Sequence, residues 1–437
     1  MDVSRLAAAL ARLSGAAAPV EGLIRLSGGA NMESWAFMAG GRACVLRRLP
    51  NGDGAGAAGI GMAAEAAVLR LAAARGLKVP ALVGELAPQD GLGEGFVMDR
   101  LPGTTAPRRI FAMDAGGLAA ACAAQLAAIH ALPLDVALPA RDAVAELARM
   151  RMLYETQGGG RPVLALALRW LAENLPPAVP PALVHGDFRM GNLLVMDGAL
   201  TAVLDWENAH LGDPCQDIGW ACINSWRFGA VDRPALGLVA LEEFLHAYEA
   251  AGGARMTPER LRFWQVAGSL SWALICLEMA QLWRDGTDRA LERLVIGRRV
   301  SEAEADILLL LDEAAGRPEP VEGFEERCWG EPSDAELVQG VAEWLRVKIR
   351  PLLAGHEAFE AGVALNALGM AARALAQARP AWDAALAARL LAGEAGLDDS
   401  AVRQALRRTA QARLRCDQPR YSALKQMRER WGIGDAV

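Results

Sequence analysis

The chain has 437 residues, 53% hydrophobic and 22% charged, with a net charge of −7. That is enough for two or three units with cores of their own, and it excludes a disordered chain. Nothing in the charge balance points to nucleic acid or a membrane as partner. The seven cysteines (44, 122, 215, 222, 276, 328 and 416) form no CxxC pair and no metal-ligand spacing. Such a set reads as reduced, mostly buried thiols in a cytoplasmic protein.

The opening "MDVSRLAAALARLSGAAAPV" predicts an N-terminal helix rather than a signal peptide, because Asp2 stands where positive charge is wanted and Arg12 interrupts the apolar part. "GLIRLSGGANMESWAFMAGGRACVLRRLP" alternates apolar and polar residues around Gly-Gly turns, which predicts a β-hairpin with a glycine loop and "ACVLRR" as the return strand. "GMAAEAAVLRLAAARG" is a helix closed by Gly76, and "GFVMDRLPG" a short strand. From about residue 110 the texture is long Ala/Leu helices, with "NLLVMDGALTAVLDW" as the single strand signal. The Pro/Gly/Glu-rich segment 316–332 predicts a linker. After it, Ser333 and Glu336 form a capping-box pattern, and four or five amphipathic helices run to the end. No run of about 18 uninterrupted apolar residues predicts a spanning helix.

The chemistry concentrates in "VHGDFRMGNLLVMDGALTAVLDWENAHLGDP" (184–214). Asp197-Gly198 is a two-residue hairpin signal between apolar strands. Asn192 and Asp205 stand at similar distances on either side of it, so antiparallel pairing brings them together at the open end, beside Asp187. A carboxylate and an amide oxygen there are hard ligands of the kind magnesium accepts along with waters and substrate phosphates. The remaining carboxylate is free to act on an incoming hydroxyl.

"HGDFRMGN" resembles the H-x-D-x-x-x-x-N catalytic loop of protein-kinase-like enzymes in its aminoglycoside-phosphotransferase form. "LDWE" resembles that family's counterpart of the kinase Asp-Phe-Gly motif. The resemblance implies Asp187 as the base orienting the acceptor hydroxyl, Asn192 and Asp205 as ligands of Mg2+ bridging the phosphates of ATP, and His185 as a structural member of the loop. It implies that Asp217 in "LGDPCQDIGW" braces the loop, and that His130 packs and caps a helix end. In the first hundred residues it implies a phosphate loop at Gly28 and Gly29, Arg47 where kinases carry lysine (with Arg48 as competitor), and Glu65 as the cation's partner. Backbone groups of Asp99 to Leu101 would meet adenine. Arginine for lysine is a departure, since the two cations are not interchangeable.

The whole pattern is most similar to phosphotransferase-like proteins associated with acyl-CoA dehydrogenases, over roughly residues 20 to 315. The implied fold is α+β: a bilobal protein-kinase-like fold with N-lobe 1–102 and mainly helical C-lobe 103–315, then the linker and an all-α domain, 333–437. The implied activity is phosphorylation of a hydroxyl on a small molecule, with a hydroxyacyl-CoA thioester as acceptor. Two further readings stand beside it: a pseudokinase or scaffold presenting the C-terminal helices, and aminoglycoside inactivation.

Overall fold

A computed structural model describes residues 1–15, 17–26, 32–49, 59–157, 160–288, 291–316, 334–376 and 383–432. The glycine loop with Gly28 and Gly29, Ser333 and almost all of the linker lie outside the described residues. By compactness the chain forms two units: Met1–Asp142, Ala178–Cys222 and Asp232–Thr257 make the first, and Ala143–Pro177, Ile223–Val231 and Pro258–Val437 the second.

The first unit is built on five antiparallel strands: β1 (Val20–Arg25), β2 (Glu33–Ala39), β3 (Arg42–Leu49), β4 (Leu82–Glu85) and β5 (Glu94–Asp99), in the order β1-β2-β3-β5-β4. The period of two along β3 sorts its side chains between two faces. Cys44 and Leu46 join Phe37 and Val97 beneath the Val3–Ser14 helix, whose Leu6, Ala9 and Leu10 are buried there. Asp2 caps that helix by accepting from the amides of Ser4 and Arg5. Arg47, one residue on from Leu46, falls on the opposite face. The Met62–Ala74 helix packs against β4 and β5 and pairs with Arg47 through Glu65.

A three-stranded sheet of β6 (Ala140–Arg141), β7 (Ala182–Val184) and β10 (His210–Gly212), ordered β6-β10-β7, adds to the single strand signal expected beyond residue 110. Segments of two or three residues are too short to show a period of two, so the pattern could not reveal them. The hairpin expected around Asp197-Gly198 is β8 (Leu193–Met196) paired with β9 (Ala199–Val203). Both turn residues have positive φ, 50° and 77°, as a tight turn of this hand requires.

The second unit is helical. Pro258–Arg284 packs on Leu291–Arg298 and Val300–Ala315. Gly355–Ala376 lies on Leu291–Arg298 and on Asp334–Trp344; Ser400–Asp417 and Ala423–Trp431 lie on Val300–Ala315; and Ala384–Leu391 packs on Pro162–Glu173. Residues 258–282 are long and apolar enough to cross a membrane by length and composition, but 78% of their most apolar window is buried. Burial identifies a core helix. Arg373 donates to the Cys416 carbonyl at 2.6 Å, and Tyr421 bonds Asp306.

Candidate functional site

Asp187, Asn192 and Asp205 come together, all within the first unit. The chain leaves β7 into His185-Gly186-Asp187. Gly186 has φ +81°, and a Cβ there would stand 2.4 Å from the Asn208 carbonyl oxygen, so the turn takes only glycine. Asp217 secures it: its two oxygens accept from the amides of His185 (2.7 Å) and Gly186 (2.8 Å), and His130 Nε2 lies 3.1 Å away. Tyr248 in turn bonds His130 Nδ1 at 2.7 Å. Asp217 is fully buried, which raises its pKa, yet the hydrogen bond and charge of His130 prevail and hold it below its ordinary value.

His185 has a fixed tautomer. Its Nδ1 accepts from the Asp187 amide at 3.1 Å, so the proton sits on Nε2, 3.2 Å from the Leu204 carbonyl. Burial against Trp206 and Phe188 pushes its pKa down and keeps it neutral. The ring is a strut that links the loop to the end of β9.

Around Asp187 every contact is a donor. Oδ1 accepts from Arg189 Nε and Trp220 Nε1, each at 2.8 Å, and Oδ2 accepts from Asn192 Nδ2 at 2.5 Å. The same Nδ2 also donates to the Asp187 carbonyl at 3.0 Å. Both acceptors require the nitrogen of the amide to face Asp187, which turns Oδ1 of Asn192 to the other side. The Leu204 amide donates to the Asn192 carbonyl at 2.8 Å, so hairpin pairing carries past the strand ends and brings Asp205 to the same end. Asp205 has φ 68°, a left-handed conformation aspartate tolerates better than most residues, and it bends the chain sharply after β9.

Opposite this loop stands Arg47. Its Nε contacts Glu65 at 3.2 Å, and its Nη2 donates to Asp205 and to Glu207, each at 2.6 Å. Three neighbouring carboxylates raise the pKa of the guanidinium despite its burial. Burial is the largest influence on Glu65 and lifts it to about 7, with Arg47 opposing. Arg48 lies on the other face of β3, bonded to Glu33 at 2.8 Å and to the Leu92 carbonyl. Of the two arginines, strand alternation makes Arg47 the one that contacts Glu65, Asp205 and Glu207.

At the other end of β5 the Asp99 amide donates to the Ala81 carbonyl and the Arg100 amide to the Ala43 carbonyl, both at 2.9 Å. The Asp99 side chain is tied to Arg42 at 2.5 Å. Leu101 lies beyond the strand.

Sequence reading missed Arg189, Trp220 and Glu207 as site residues. All three lay inside the quoted motifs; only the folded chain shows which charge each one faces. Among the described residues no group of three or more His, Cys, Asp or Glu side chains is arranged to hold a metal. One amide oxygen and one carboxylate is instead the sparse, hard donor set that suits magnesium, which keeps waters and takes phosphate oxygens as its other ligands.

Residues 22–264, more than half of the chain, match the model of the phosphotransferase enzyme family, and residues 351–421 match a domain of unknown function (DUF6285). Two curated relatives are similar over shorter stretches. Acyl-CoA dehydrogenase family member 10 of Mus musculus is 34% identical over 98 residues, covering 20% of this chain and 9% of that protein. Acyl-CoA dehydrogenase family member 11 of Gallus gallus is 41% identical over 63 residues, 14% of this chain and 8% of that one. The chain therefore spans less than a tenth of either relative. Among solved structures, a Ralstonia eutropha protein classed as an aminoglycoside phosphotransferase superposes with a TM-score of 0.54 at 21% identity, covering 69% of this chain and 95% of that one. The fold is that of the aminoglycoside phosphotransferases, β-rich at the N-terminus and helical beyond it, and the chain belongs to the phosphotransferase enzyme family.

Proposed function

We propose that the protein is an ATP- and magnesium-dependent O-phosphotransferase acting on a hydroxyl of a small molecule, with a hydroxyacyl-CoA thioester as the favoured acceptor. The observation that carries the reading is the Asp187–Asn192 contact at 2.5 Å, with Asp205 at the same hairpin end and tied to Arg47. Asp187 is the base: its carboxylate, fixed by three donors, orients the acceptor hydroxyl and takes its proton. Asn192 Oδ1 and the Asp205 carboxylate would hold the cation, which when bound offsets the charge of the phosphates. Arg47, paired with Glu65, supplies a phosphate-binding cation. Gly28 and Gly29 cover the phosphates, and the Asp99 carbonyl with the Leu101 amide meets adenine. In this reading residues 1–102 act as the N-lobe, 103–315 as the C-lobe and 333–437 as an appended helical domain. The six cysteines among the described residues are buried free thiols, which suits a cytoplasmic setting. Similarity to acyl-CoA dehydrogenase family members supports the thioester acceptor.

Incubation with labelled ATP, Mg2+ and a panel of hydroxyacyl-CoAs, sugars, choline-like alcohols and aminoglycosides tests this. Label should pass to a hydroxyacyl-CoA, and Asp187→Ala should lower transfer by about 10²–10⁴-fold while Mg-ATP still raises the melting temperature. Full transfer by the variant refutes the role of Asp187. No thermal shift of the wild type at millimolar Mg-ATP favours a scaffold.

A further inference from the structure

The arginine that replaces the expected lysine has a partner with no place in the lysine–glutamate scheme. Both Nη2 contacts of Arg47 are to the 205–207 segment, at 2.6 Å to Asp205 and 2.6 Å to Glu207, while Nε is taken by Glu65. Among the described residues Nη1 makes no hydrogen bond. A guanidinium is planar, so holding Nε and Nη2 fixes the direction of Nη1 and leaves its two hydrogens for an oxyanion. A lysine ammonium, with three hydrogens on one nitrogen, would exhaust them on the same three carboxylates. Glu207 is itself anchored, because its carbonyl accepts from the Ile60 amide at 2.9 Å, just ahead of the helix that carries Glu65.

Resting on the proposed function, we infer that Glu207 is a positioning residue for nucleotide binding. It holds Nη2 so that Nη1 of Arg47 faces a phosphate, and it keeps doing so once a cation claims the Asp205 carboxylate. Without it, a cation at Asp205 would leave Arg47 tethered through Glu65 alone, free to swing about Nε. Arginine and Glu207 then form one device in place of the lysine.

The sign of one effect separates positioning from simple charge. Removing an anion beside a polyanionic nucleotide tightens binding if charge alone matters; losing the tether weakens it. Calorimetric titration with Mg-ATP should show Glu207→Ala binding about tenfold more weakly, the loss of roughly one charge-assisted hydrogen bond. Glu207→Gln, which still accepts from Nη2, should stay within about threefold of wild type. KM for ATP should rise in the alanine variant with kcat at saturation changed less. Arg47→Lys should weaken binding in the wild-type background and add little on top of Glu207→Ala. Unchanged or tighter binding in Glu207→Ala overturns the inference, as does binding more than about threefold tighter in Glu207→Gln should the alanine variant not fold. Failure of the wild type to bind Mg-ATP would instead refute the proposed function.

Discussion

On the Val300–Ala315 helix, Glu302, Glu304, Asp306 and Asp312 are all buried, and each has its own partner. Glu302 takes Arg299 at 2.9 Å, Glu304 takes Arg413 at 3.3 Å and Arg161 at 3.6 Å, and Asp312 takes Arg407 at 2.8 Å and Trp431 Nε1 at 2.7 Å. Asp306 accepts from Tyr421 and from Asn224, the latter at 3.0 Å. Around Arg47 the ratio reverses: Glu65, Asp205 and Glu207 crowd one guanidinium. Separately paired buried charge locks helices of the second unit together, whereas surplus acid in the first is what a site awaiting a cation would carry. Many of the locking partners belong to residues 400–432. Those helices are therefore tied to the buried acids of the Val300–Ala315 helix.

The sharpest way to break the contrast is to remove one partner of a lock. Asp312→Ala takes the carboxylate away from Arg407, whose side chain is fully buried, and should cost about 3–5 kcal/mol. Replacing both residues by leucine should recover much of that loss, since apolar packing tolerates the site better than a buried arginine deprived of that carboxylate. Denaturant midpoints of the single and double variants check it. A single-variant loss under about 1 kcal/mol would mean that the pair is screened by solvent.

A smaller effect on stability, with a larger one on chemistry, is expected at Asp217. Asp217→Asn turns an amide nitrogen toward a backbone donor of His185 or Gly186, costing about 1–3 kcal/mol. Because those amides hold the loop that presents Asp187, kcat should fall by about 10²-fold. Thermal melts read alongside turnover check both. Turnover that stays at wild-type level would show that the loop holds its shape without the brace.

The fold and the core of the site could be read from the sequence because they rest on local rules. Asp197-Gly198 dictates a hairpin whatever surrounds it, so the meeting of Asn192 and Asp205 followed from counting residues. Choosing Arg47 over Arg48 needed only the faces of β3, but which face meets the Met62–Ala74 helix is decided by packing. Glu207 and Trp220 were invisible in their roles because each depends on a partner more than 30 positions away, Arg47 for one and Asp187 for the other. The locks of the second unit are further out of reach, since Asp312 and Trp431 lie 119 residues apart. Short-range pattern cannot specify such pairs.

The subtlest expected effect depends on pH and belongs to the separately paired group. Burial pushes the pKa of Asp306 up to about 7, against the pull of its hydrogen bonds from Tyr421 and Asn224. The folded protein thus holds a proton that the unfolded chain has released above about pH 4. Stability from this group is fully present below the unfolded value and declines as pH rises, until the folded group also ionises near 7. Asp306→Asn removes that titration while keeping an acceptor for Tyr421. Between pH 5 and 7.5 the melting temperature of the wild type should therefore fall relative to the variant's, by about a few degrees. Parallel curves across that range would mean that Asp306 is ionised throughout, and Tyr421 would then be donating to a charged partner rather than sharing a network with a neutral acid.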